Sequence, residues 1–169
     1  MSTDRSPAAA GTFYPSDPVA LRNMVREMLA DSVKSNNLTN KAPTNNPCAL
    51  IVPHAGFVYS GPVAARAYTC IQQFANEINR VVLLGPAHRV AVRGMALSSA
   101  DNFQTPLGFI PLDKAANTEL ALLPQVAVND DAHALEHSLE VQLPFLQEVL
   151  DEFKLVPIVV GDASPEEVY

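Results

Sequence analysis

The apolar positions change period several times along the chain, and each change marks an element. Asp17 and Pro18 precede Leu21, Met24, Val25, Met28 and Leu29. That spacing predicts a helix capped by Asp17, opened by Pro18 and ending near Ser32. Residues 34–47, KSNNLTNKAPTNNP, lose the pattern and read as a surface loop. Two continuous apolar runs follow, at 48–53 and 80–84, and both lack the alternation of a half-exposed strand. They predict strands covered on both faces. Between them Pro62, Val63, Ala64, Ala67, Ile71 and Phe74 predict a helix opened by Pro62, long enough for a right-handed parallel crossover.

Shorter strands are expected at 95–99 and 107–112, a helix at 114–123 capped by Asp113, and a buried strand at 154–160. Leu139, Leu143, Leu146 and Leu150 form a helical stripe, but Pro144 removes one of its hydrogen bonds, so a kinked helix or two abutting helices are expected. Ser164, Pro165, Glu166 and Glu167 read as the cap and first turn of another helix. The class is α/β: a mostly parallel sheet with helices on both faces, in a single domain over 1–169. A further helix begins as the chain stops, so the domain is expected to be incomplete at its C-terminus.

Composition narrows the function classes. Hydrophobic residues make up 48% and charged residues 17%, which argues against disorder, and no apolar run is long enough to span a bilayer. The net charge is −7, with only 11 Lys and Arg scattered along the chain. Nucleic acid and anionic membranes are therefore not expected as partners; small molecules or peptides are. The N-terminus has no signal-like apolar core, so the expected location is the cytoplasm. In that compartment Cys48 and Cys70 are expected to be free, buried thiols, and the Asn37-Leu38-Thr39 sequon a chance match.

Two histidines stand in matched contexts. His54 follows the run ALIVP, and His88 follows VVLLGPA. In an open α/β sheet the ligand crevice lies beyond the carboxyl ends of the strands, so the two can meet at one rim. Neutral imidazole is the commonest metal ligand, which makes the pair a candidate metal site. A third segment, His133-Ala134-Leu135-Glu136-His137, matches the HxxEH pattern of one class of zinc peptidases, with Glu166 or Glu167 as the third ligand by spacing.

Taken in order, AGTFYP, VPHAGFVYSG, VVLLGPAHR, LSSADNFQTPLG and EHSLEVQLPFL resemble the successive motifs of the Memo family, protein B of the AmmeMemoRadiSam system. That family is similar in fold to the LigB-type class III extradiol dioxygenases. The resemblance implies that His54 and His88 are ligands of a divalent metal, Fe(II) first and copper or zinc as alternatives. It implies that His137 lines or supports the same pocket; there it is expected to act as a proton-handling group oriented by Glu136 or Glu140, with Tyr59 and Ser60, in the turn after His54, as pocket-lining residues or, for Tyr59 alternatively, as buried packing. It also implies a third ligand, a cysteine, in a segment C-terminal to this chain, and AMMECR1-like and radical SAM proteins of the same system as partners. Position 87 is Ala where the family motif usually carries Ser.

Three expectations follow. The first is a Memo-like protein on a non-haem-iron dioxygenase scaffold, with redox or dioxygenase-type chemistry. The second is a non-catalytic module that binds a peptide or partner in the same cleft, and the third is an HxxEH zinc peptidase.

Overall fold

The structure is a computed structural model that describes residues 3–36 and 47–168. Helix α1 (Pro18–Asn36) opens as expected, with the Asp17 carboxylate accepting from the Ala20 amide at 2.8 Å. It runs four residues past the predicted end, so residues 34–36 of the expected loop are helical. Residues 37–46 of that loop, with the Asn37 sequon, lie outside the described residues.

Two sheets organise the chain. The first contains β1 (Asp4–Arg5), β4 (Asn102–Thr105) and β5 (Gly108–Pro111), in the order β1-β4-β5. The second contains β2 (Arg80–Pro86), β3 (Met95–Leu97), β6 (Val126–Val128) and β7 (Lys154–Val160), in the order β2-β7-β3-β6. Parallel and antiparallel pairs mix: β2 runs parallel to β7, whereas β3 is antiparallel to β7 and parallel to β6. The sheets are mixed rather than purely parallel.

Strand β7 explains why its apolar run has no alternation. Leu155 joins a core formed with α1, α2 (Phe57–Tyr68) and α5 (Leu143–Val149), while Val156 and Ile158 pack with Met95, Leu97 and Leu120. Leu120 comes from α3 (Lys114–Leu120), whose Asp113 cap accepts from the Ala116 amide as expected. Val159 packs with Ala96 and with Ala132 of α4 (Asp130–Ala134). Both faces of β7 are thus covered.

Other expectations need correction. Residues 48–53 form no strand, and Ile51 is fully exposed. Strand β2 pairs only with β7 among the described residues, and Val82 and Leu84, on its outer face, are 54% and 48% exposed. Its unbroken apolar run does not mean burial on both sides. Helix α2 begins at Phe57, and Pro62 lies inside it. The chain turns at Gly56, whose carbonyl accepts from the Ser60 amide, so the helix is already under way when the proline arrives. The stripe around Pro144 does break, into α4, a 3-10 turn at Glu140–Gln142, and α5, where Pro144 takes the first-turn position that tolerates it. The chain enters α6 (Pro165–Val168) as expected, with the Glu167 carboxylate accepting from the Ser164 amide.

Candidate metal centre

Three segments deliver one histidine each to the same place. His54 lies in the turn before α2, His88 just past the end of β2, and His137 between α4 and the 3-10 turn. The ring centroids of His54 and His88 are 5.3 Å apart, those of His54 and His137 6.1 Å, and those of His88 and His137 4.6 Å in a stacked arrangement. The rim predicted from two strand ends therefore holds three imidazoles.

Glu136 is the buried anion beneath them. It is 2% exposed, and its two oxygens accept from the His88 amide at 2.6 Å, His88 Nδ1 at 2.8 Å and the Ser138 amide at 2.9 Å. Burial opposes its charge, but these hydrogen bonds outweigh burial and hold its carboxyl down at about 2. Because Nδ1 of His88 is committed to Glu136, Nε2 is the nitrogen left for a ligand. Glu136 thus orients His88, not His137 as the sequence suggested; it stands 3.5 Å from His137 Nδ1.

That Nδ1 is buried and makes no hydrogen bond to any described residue. The ring lies between His88 and Phe13, whose centroid is 4.4 Å away. Burial, with help from the facing imidazoles, pushes its pKa below the ordinary histidine value. A neutral imidazole is the form a metal takes. His88, Glu136 and His137 offer donor atoms that all lie within 4.8 Å of one another.

The remaining candidates divide. Tyr59 is 84% exposed and lines a cleft of about 910 Å³ with Phe13, Ile51, Val52, His54 and His137. Ser60 does not line it: the side chain is buried and donates to the Ala55 carbonyl at 2.7 Å, which fixes the His54 turn. Glu140 does not orient His137 either. Its carboxylate accepts from Arg5, Tyr14 and the amides of Ala8 and Ala9.

The HxxEH geometry is not formed. Helix α4 ends at Ala134, so His133 and His137 do not share a helical face, and the His133 ring is buried against Phe103 with Nε2 3.0 Å from the Ala96 carbonyl. Glu167 pairs with Arg93 at 3.1 Å and caps α6. Cys48 and Cys70 are free, but not buried as expected: Cys48 is exposed and Cys70 half-buried. The sequence reading gave no role to Arg5, Phe13 or Tyr14, although the AGTFYP motif that contains the last two was in view.

Gly85 lets this centre close. A Cβ there would stand 2.7 Å from Ser138 Oγ and 2.8 Å from Leu139 Cδ2. Gly85→Ala should therefore push the 136–139 segment off β2, at a cost of about 1–3 kcal/mol in urea unfolding. An unchanged midpoint would show that the segment is not seated there.

Comparison with known proteins places the chain in a family. The family profile described as Memo-like protein matches residues 5–168. A MEMO1 family protein of Methanopyrus kandleri is 42% identical over 164 residues, 94% of this chain and 56% of its own length. A MEMO1 family protein of Thermotoga maritima is 39% identical over 166 residues, 95% of this chain and 59% of its own. One of Sulfolobus acidocaldarius is 37% identical over 168 residues, 96% and 59% respectively. The chain thus spans less than two thirds of the length of these relatives, and it belongs to the Memo family.

Proposed function

We propose that this protein binds a divalent metal, Fe(II) in preference to copper or zinc, through His54, His88 and His137, with Glu136 holding His88 in the correct tautomer. The observation that carries this reading is a cluster of three imidazoles over a buried carboxylate, in which the buried Nδ1 of His137 makes no hydrogen bond and stands 3.5 Å from Glu136. A buried polar nitrogen without a partner is costly, and a metal ion would satisfy it. Imidazole donors over a buried carboxylate suit such an ion.

Bound there, Fe(II) would supply Lewis acidity and one-electron chemistry, in keeping with a dioxygenase-like scaffold. The chain's own residues do the rest. Glu136 fixes His88 through Nδ1, Ser60 fixes the His54 turn, and Phe13 covers one face of His137. Phe13, Ile51 and Tyr59 give the adjoining cleft an apolar lining for a small molecule or a peptide side chain. A metal ligand from the part of Memo-like chains outside this one would complete the set. The setting is the cytoplasm, with AMMECR1-like and radical SAM proteins of the same system as partners. No helix of the described residues is long and apolar enough to cross a membrane.

Anaerobic calorimetric titration with Fe(II) tests the reading. One ion should bind per chain, and affinity should fall at least about tenfold in His54→Ala and in His88→Ala. Equal affinity in wild type and both variants would refute it. A second reading, a binding module without turnover, is favoured by the apolar cleft; it predicts ligand binding that survives His88→Ala.

A further inference from the structure

We propose that the N-terminal segment Arg5–Tyr14 is a brace that sets the spacing of the three histidines, with Glu140 as the positioning residue through which it acts; its effect on metal affinity rests on the reading above. The segment touches both sides of the centre. On the His54 side, the Phe13 carbonyl accepts from the amide of Phe57, three residues after His54, at 2.8 Å. On the other side the Phe13 ring packs on His137, Arg5 Nη2 donates to the Glu136 carbonyl at 2.7 Å, and Arg5 Nε donates to the His133 carbonyl at 3.0 Å. Two contacts therefore fix the backbone on either side of Glu136, and one fixes the turn that carries His54.

Glu140 locks the segment in place. It is fully buried, and both oxygens are used: Oε2 accepts from Arg5 and from the Ala8 amide at 2.8 Å, and Oε1 accepts from the Tyr14 hydroxyl and from the Ala9 amide at 2.8 Å. A buried carboxylate with four donors is fully satisfied, so each donor has one defined position. Of these contacts, the Phe13 ring on His137 and Arg5 on the Glu136 carbonyl reach the centre directly.

The conservative change is Glu140→Gln, which turns an amide NH₂ toward existing donors. Tyr14→Phe is milder and removes one hydrogen bond. Val149→Ala, in the core of α5 and away from the centre, is the control for lost stability. Two readouts are taken on each: Co(II) affinity, and the proton resonances of the histidine rings in metal-free protein, where the Phe13 ring current shifts the His137 signal. Glu140→Gln should weaken Co(II) binding about tenfold or more and move the His137 resonance toward its unshifted position. Tyr14→Phe should do both to a smaller degree, and Val149→Ala should lower the melting temperature and do neither. The proposal is overturned if Glu140→Gln and Tyr14→Phe change only the melting temperature. Should Glu140→Gln fail to fold, Tyr14→Phe decides alone. If wild type binds no Co(II), the metal reading fails by itself, and the His137 resonance still decides the brace.

Discussion

Glu136→Ala should lower folding stability by about 2–5 kcal/mol and abolish the stacked arrangement of His88 and His137. The carboxylate is the acceptor for two backbone amides, those of His88 and Ser138, and for one ring nitrogen. Each buried donor left without an acceptor costs about 1–3 kcal/mol. Because those donors lie on two segments, the post-β2 turn and the turn after α4, the loss also separates the elements that present the histidines. Glu136→Gln keeps the shape but cannot accept from every donor, so its loss should be smaller. Denaturant unfolding of the three proteins checks the order; an alanine variant as stable as wild type would mean that the carboxylate is dispensable.

The second large effect is a loss of stability in acid that comes from His133. Burial holds its imidazole neutral, with the pKa down at about 4 from an ordinary 6.5. The unfolded chain therefore takes up this proton first as pH falls. Stability contributed by the neutral ring is complete above about 6.5 and is lost as pH falls from 6.5 toward 4, in an amount of about 3 kcal/mol. Glu136, depressed from 4.5 to about 2, acts in a lower window: its contribution is present above 4.5 and is lost as pH falls toward 2. His133→Gln can still donate to the Ala96 carbonyl but does not titrate. Unfolding at pH 7.5 and pH 4.5 should show a smaller loss in His133→Gln than in wild type, and equal losses would contradict the assignment.

The contrast between His133 and His137 shows what the sequence could and could not convey. Both sit in one literal HxxEH match, yet a helix that ends at Ala134 sends one into the core and the other to the centre. A pattern of spacings presupposes a helix; it does not establish one. His54 and His88 were legible because strand-end chemistry is local: an apolar run, a proline or glycine, then a histidine. His54 reaches its place even though 48–53 is no strand, since the turn is held by Ser60 and by Phe13 rather than by a ladder. Arg5, Tyr14 and Glu140 were not legible as a unit, because their contacts span some 130 residues and follow no period. The two-residue β1 and the short β4 and β6 likewise owe their strand character to pairing partners. Strand β7 was legible as buried, and α1 by its cap; Pro62 misled because the helix is already under way from Phe57, so the proline falls in its interior, where it leaves one backbone hydrogen bond unmade.

The outer face of β2 exposes Val82 and Leu84.

The central claim is that His54, His88 and His137 converge on one metal ion. X-ray absorption on protein loaded with one equivalent of Co(II) tests it most directly, because imidazole rings give a distinctive multiple-scattering pattern. The account predicts a first shell containing imidazole nitrogens, reduced by one ring in each of His54→Ala, His88→Ala and His137→Ala. A first shell of oxygen alone, or one left unchanged by all three substitutions, would contradict it.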